Sequence, residues 1–282
     1  MAARELRVAR RETLRLLLRS PTFVAGMVVV VFWTVIALLG SHITPQDPLS
    51  PSPDLLKGPG SGHWFGTDAL GRDVFSRVFA GAQSIVELAP MATGLAVVAG
   101  TSLALVIGYY GGLIDEITGR LIEASFAIPG IIISILIVLA FGTTRLAIVC
   151  VVAFGFSTII ARTIRVAVQA ERNLDYVTAA RLRGARAPYI MFVEILPNIV
   201  GPIVVEATVR LGYAIFAIAS LTFLGFGVQP PSPDWGLQIS ENYSLLLSGT
   251  DWWTVLFPAL AIASLVVATN LIADALAQVM GR

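Results

Sequence analysis

Six apolar runs, each too long and too poor in charge for an ordinary soluble core, govern what this chain can become. They cover about residues 23–40, 85–110, 121–141, 146–161, 199–226 and 255–276. A helix crosses a bilayer with about 20 mostly apolar residues, within a range of roughly 17–25. The fourth run is short for that purpose and the fifth long. Composition agrees with the pattern. Of 282 residues, 56% are hydrophobic and only 13% charged, with a mean hydropathy of +0.82. A soluble domain carries about twice that charge, roughly 25%. The expected class is therefore an all-α integral membrane protein with six transmembrane helices. In lipid only helices or closed barrels satisfy their own backbone.

The arginines set an orientation. Fourteen would lie on the side of both termini: Arg4, Arg7, Arg10, Arg11, Arg15, Arg19, Arg120, Arg162, Arg165, Arg172, Arg181, Arg183, Arg186 and Arg282. Lys57, Arg72, Arg77 and Arg145 would lie on the other. Positive charge is retained in the cytoplasm, so the expectation is N-in, C-in. Residues 1–20 read as a cytoplasmic amphipathic segment, with Arg7, Arg11 and Arg15 at helical spacing and Leu6, Leu14, Leu17 and Leu18 between them. This segment is expected to remain attached as an uncleaved anchor, because no small-residue cleavage site follows Gly40. Residues 21–282 form the membrane domain. It includes outer loops at 41–84 and 228–253 and a cytoplasmic loop at 162–197. Pro45, Pro48, Pro51, Pro53 and Pro59 favour extended structure in the first outer loop.

Several function classes fall away. The net charge of +1 gives no basic surface for nucleic acid. Lys57 is the only lysine and lies outside any Gly-Lys-Ser/Thr sequence, so there is no Walker A phosphate loop. His42, His63 and Cys150 are too few for a zinc cluster, and no serine or cysteine nucleophile has a placed histidine. Cys150 reads as a buried, inert thiol. The chain is expected to bind no cofactor and to be no enzyme.

The polar insert breaks the lipid-suited pattern. Asn173 or Asp175 can cap a short helix, Gly184 can end it in a left-handed turn, and Pro188 suits the first turn of a second helix that Pro197 limits. Elsewhere, charges within apolar runs are functional candidates because they are costly there. Glu206 and Arg210, spaced i, i+4, are either a structural ion pair or part of a substrate path. Glu87 and Asp274 fall near span ends, and Glu123 near the cytoplasmic side. Pro129-Gly130 and Pro197, Gly201 and Pro202 mark kinks or breaks.

Three motifs resemble one family. Thr178-Ala179-Ala180, Gly184 and Leu196-Pro197 match the spacing of the cytoplasmic coupling loop of ABC importer permeases. Thr178 replaces that family's glutamate, and Glu194 its isoleucine. The run from Phe65 to Arg77, with Gly81-Ala82, resembles the sequence before the second span in the dipeptide/oligopeptide/nickel branch. Gln83 stands where arginine is common. Leu221 to Gly236 and Asn270 to Leu276 also fit, although the usual Asp-Pro ending is missing. The resemblance is closest to the second permease of the pair, the DppC/OppC type.

It implies an ABC importer permease fold with cytoplasmic coupling helices, in a multi-pass protein of the plasma or inner membrane. Partners would be a homologous permease of DppB/OppB type, two ATP-binding subunits that use ATP and Mg, an extracytoplasmic substrate-binding protein and a peptide substrate. The coupling residues would be Asp175, Tyr176, Thr178, Ala179, Ala180, Arg181, Arg183, Gly184, Leu196 and Pro197. Small Ala179, Ala180 and Gly184 would let the ATPase approach the backbone. Gly66, Thr67, Asp68, Gly71, Arg72 and Asp73 form the outer-loop motif, either a local charge network or a contact for substrate or binding protein. Glu206, Arg210, Gln229, Asp234 and Trp235 are candidates for a gate or substrate path. Import of nickel chelates, glutathione or another small solute is the alternative within this class. An ion-driven secondary transporter is the alternative outside it.

Overall fold

The computed structural model describes residues 15–280, and among these every regular element is helical. Arg4, Arg7, Arg10, Arg11, Leu6, Leu14 and Arg282, named above, lie outside the described residues. Residues 15–19 are helical, and Leu17 packs with Phe23, Ile272, Ala275 and Leu276.

Helix α1 (Pro21–Leu39) starts at the Ser20 cap, whose hydroxyl accepts the Phe23 N–H. Next come α2 (Val74–Tyr110), α3 (Gly112–Phe126), α4 (Gly130–Phe141), α5 (Arg145–Glu171) and α6 (Asp175–Leu182). A single turn, α7 (Ala187–Tyr189), runs through a π segment (Ile190–Ile195) and a 3-10 turn (Leu196–Ile199) into α8 (Val200–Phe223). Helices α9 (Trp235–Leu247) and α10 (Trp253–Met280) complete the chain. Five runs are long and apolar enough to cross a membrane: α1, α2, α5, the continuous 187–223 run, and α10. The α3–α4 pair makes a sixth if its two arms count as one.

That pair corrects the simple third span. The helix breaks at Ala127–Pro129 and its arms meet at 87°. Pro129 disfavours a helical backbone at Ile128, which ends α3. Twelve residues of α4 rise only about 18 Å, well short of a hydrocarbon core of about 30 Å.

Other boundaries also shift. Helix α2 begins at Val74 rather than near Ile85, so the irregular segment before it is shorter than 41–84. At 37 residues it reaches about 55 Å. The 228–253 segment, expected to be a loop, contains α9. The helix expected to stop at Pro197 instead continues into α8. Proline has no N–H, and the backbone adjusts by letting Leu196 N–H reach back to Met191 C=O, while the Asn198 amide donates to Glu194 C=O at 2.8 Å.

The core is built around α2 and α5. Ala92, Ala96, Gly100, Ala104 and Gly108 recur every fourth residue and are all buried. A β-carbon on Gly100 would lie 2.6 Å from Ser157 C=O, so the two backbones approach closely. Helices α1, α8 and α10 complete the bundle, with Gly26 of α1 seated against Ala268 C=O. Cys150, expected to be buried, is exposed on α5.

Candidate functional site

Two polar constructions occupy opposite ends of α2. At its N-terminal end, Asp73 caps the helix by accepting from Ser76 N–H (2.8 Å) and Ser76 Oγ (2.7 Å). His63 Nδ1 lies 2.9 Å from the same carboxylate. Asp68 receives Arg72 Nε at 2.7 Å and also pairs with Arg77 Nη1. Both arginines then converge on Glu241 Oε2 of α9, at 2.7 and 2.9 Å. Arg77 is 1% exposed and Asp68 likewise 1%, so these charges balance one another out of water. Thr67 and Gly66 also join the fold. Thr67 Oγ1 donates to Asp54 C=O, its backbone C=O accepts from Trp253 Nε1 (3.1 Å), and Gly66 C=O accepts from Val74 N–H. At Gly71 the backbone takes φ +74°, and a β-carbon would fall 2.1 Å from Ser52 C=O. The six motif residues are thus brought together, tying the 43–73 segment to α2, α9 and α10 rather than leaving it extended.

Helix α9 is fastened by further bonds. Trp235 Nε1 donates to Val78 C=O at 2.6 Å, and Gln238 Nε2 to Arg77 C=O at 3.0 Å. Gly81 permits this approach, since a β-carbon there would lie 2.2 Å from Pro233 C=O. Asp234 caps α9 through Oδ1, which accepts from Gly236 and Leu237 N–H. Its Oδ2 has no hydrogen-bond partner among the described residues. Burial pushes this carboxyl up to about 6, against the lowering effect of the two cap bonds. Gln229 bonds within its own turn, to Gly225 and Gly227 C=O. Gln229 therefore stays local, while Asp234 and Trp235 belong to the α9 joint.

At the C-terminal end of α2 lies the arginine-rich insert. Arg172 Nη1 donates to Gly108 and Tyr109 C=O, closing the end of α2. The Arg181 guanidinium stands 5.1 Å from the Tyr109 ring centroid. Helix α6 starts at Leu174 without a side-chain cap, so neither Asn173 nor Asp175 caps it. Asp175 instead places its negative charge in the first turn. Gly184 ends the helix at φ +77°, with Ala185 N–H bonded to Ala180 C=O and Gly184 N–H to Arg181 C=O.

The two faces of α6 differ. Val177 and Ala180 are fully buried, against Val168 and Ile190 among others. Ala180 therefore packs inward. Thr178, Ala179, Arg181, Arg183 and Leu182 are exposed, Leu182 at 85%. Tyr176 donates to Glu171 at 2.6 Å. Burial first, then that bond, pushes its hydroxyl up to about 12, so it remains a donor. Arg183 and Glu194 approach to 3.5 Å, which gives Glu194 a polar role where an isoleucine was expected. Leu196 and Pro197 lie in the 3-10 turn that joins the insert to α8.

Charges inside the spans sort clearly. Arg210 donates to Glu206 on the same face of α8 at 2.6 and 2.7 Å. Glu87 pairs with Arg145 at 3.1 Å, both exposed. Asp274 and Glu123 are exposed. Among the described residues no group of three metal-ligating side chains occurs. Sequence alone weighs His63 only as a zinc ligand and gives Glu241 and Gln238 no partner. Glu241 is 164 residues from Arg77 and carries no local signal.

Comparison with known proteins places this architecture. Residues 96–282 match the family model of the binding-protein-dependent transport system inner membrane component. Residues 10–59 match the N-terminal TM domain of oligopeptide transport permease C. A dipeptide transport system permease protein from Alkalihalophilus pseudofirmus is 34% identical over 267 residues, 94% of this chain and 87% of the relative. Its counterpart in Haemophilus influenzae is 35% identical over 264 residues, covering 89% and 87%. A glutathione transport system permease protein from Pectobacterium atrosepticum is 36% identical over 275 residues, covering 97% and 91%. With its several membrane-length helices and these matches along nearly its whole length, the chain belongs to the binding-protein-dependent inner membrane components, and is a multi-pass inner-membrane permease subunit of an ABC transporter rather than an enzyme.

Proposed function

We propose that this chain forms half of the translocation path of an ATP-driven importer of di- or oligopeptides. The observation that carries this reading is α6, held by Val177 and Ala180 while Thr178, Ala179, Arg181, Leu182 and Arg183 face outward. Such a short helix suits a groove on a cytoplasmic ATPase, with arginines available for acidic groups there. Asp175, Tyr176, Gly184, Leu196 and Pro197 fix its position and link it to α8. Closure of two ATP-loaded ATPases then moves α6 as a rigid body, and the spans respond as a two-state element. ATP and Mg are used in those partner subunits.

In this reading the α3–α4 pair counts as one span, giving six, with both termini in the cytoplasm. Residues 1–20 lie on the cytoplasmic membrane surface, 162–197 contain the coupling loop, and 41–84 and 228–253 face outward. The partners are a homologous permease, two ATP-binding subunits and an extracytoplasmic binding protein. The motif Gly66, Thr67, Asp68, Gly71, Arg72 and Asp73 supports the outer face structurally. The glutathione relative favours a second reading within the same class, since glutathione is itself a peptide with free carboxylates.

Co-purification from native membrane with a tag on this chain, followed by peptide uptake in vesicles, tests the proposal. Recovery of a second permease and ATPases, with ATP-dependent peptide uptake, is expected. Activity of this chain alone on an ion gradient without ATP would overturn it.

A further inference from the structure

Glu206, Arg210, Tyr213, Ala217 and Ser220 follow one another on α8 at spacings of four, three, four and three. They therefore form one stripe along the helix. At one end is the ion pair. Both Arg210 nitrogens that bond Glu206 use the same oxygen, Oε1. Glu206 Oε2 and Arg210 Nη1 make no hydrogen bond among the described residues. Tyr213 lies over the guanidinium at 5.4 Å from its ring centroid and is half exposed. The pair is thus only half used, in a segment where a charge is costly unless it faces protein or an aqueous cavity.

At the other end the stripe enters a cavity of about 410 Å³ between the α3–α4 elbow, α5 and α8. Ala217 and Ser220 line it from α8, Pro129 and Ser134 from the elbow, Phe154 and Thr158 from α5. None of its lining residues is ionisable. Its hydroxyls are turned to their own helices: Ser125 to Ile122 C=O, Ser134 to Gly130 C=O, Thr158 to Gly155 C=O and Ser220 to Phe216 C=O. The volume falls within the ~300–1,000 Å³ of small-ligand sites.

We infer that this stripe is a peptide subsite in which Arg210 binds the free α-carboxylate while the uncharged cavity accepts a neighbouring side chain. The inference rests on the peptide-import reading. The chemistry matches the occupant. A peptide carries a fixed carboxylate and variable side chains. A guanidinium binds a carboxylate through charge-assisted bonds, and a cavity without charge or outward-facing donors rejects few side chains. Glu206 holds the guanidinium in place between substrates and Tyr213 limits its swing, so both are positioning residues and Arg210 is the substrate contact.

The test compares initial uptake of a peptide and its C-terminal amide by the complete importer with its binding protein. The wild type is expected to favour the free acid by about tenfold or more, the discrimination of one charge-assisted contact. Arg210→Gln should bring that ratio near one, while Glu206→Gln keeps or raises it. The double Glu206→Gln/Arg210→Gln variant should assemble normally and lack discrimination, which separates recognition from folding. Loss of both substrates in equal proportion in Arg210→Gln, or an unchanged ratio, would overturn the subsite and leave the importer reading standing. A wild-type complex that imports neither peptide would overturn the peptide reading itself, and the subsite with it.

Discussion

Gly184 shows how one residue can fix the end of an exposed helix. Its φ of +77° suits glycine, yet a β-carbon there would meet no atom within 4 Å. The constraint is therefore conformational, about 1–2 kcal/mol for a non-glycine residue. Gly184→Val should lower ATP-coupled uptake several-fold with the bundle intact, whereas Gly184→Asn, which tolerates the left-handed region, should retain most of it. Parallel uptake and ATPase assays check this, and wild-type coupling in the valine variant would contradict the docking role of α6.

Asp234 supplies a pH dependence. Its folded pKa of about 6 lies above the ordinary carboxyl value of 3.8. A carboxyl shifted upward contributes most below its unfolded value, and that contribution is lost as pH rises through about 6. Asparagine caps a helix as well as aspartate does. Asp234→Asn should therefore keep α9 in place and flatten the fall in thermal stability between pH 4 and 7, by an amount of order 2 kcal/mol. Melting curves in detergent at several pH values would show it, and identical slopes in both proteins would remove the argument.

Among the elements, α9 is the clearest case of a segment whose position is decided by distant side chains. Its only local instruction is the Asp234 cap. What holds it is the convergence of Arg72 and Arg77 on Glu241, with Gln238 and Trp235 bonded to α2 backbone. These bonds make α9, the start of α2 and the 43–73 segment a single joined body. Removing Asp68 leaves two arginines on one carboxylate, and breaking a buried pair costs about 3–5 kcal/mol. Asp68→Asn should lower the melting temperature strongly. Glu241→Gln should do so less, because Glu241 is partly exposed. Equal melting of both variants with the wild type would show that the knot contributes nothing to stability. The α2–α5 stripe is the contrasting case, because the small residues that let it pack recur at every fourth position of one helix.

For the whole molecule, sidedness follows from how the bent α3–α4 pair counts. With it as one span, residues 15 and 280 share a side. With it as a re-entrant elbow, they do not. Single cysteines introduced near these two positions, in a Cys150→Ala background, should react alike with a membrane-impermeant reagent. Opposite labelling would reject N-in, C-in.

The class, the positions of most spans, the family and the shape of the arginine-rich insert up to Gly184 were legible in the residues alone. This was possible because hydrophobic length and turn glycines act through near neighbours. Packing of the folded chain set which face of α6 is buried, so that Ala180 turns inward and Ala179 outward. It also placed Glu241 on two arginines, broke the third span at 87°, and put the Glu206–Arg210 pair on the face that leads to the α4–α5–α8 cavity. Each of these depends on packing between residues far apart in the chain, and local periodicity carries no record of such partners.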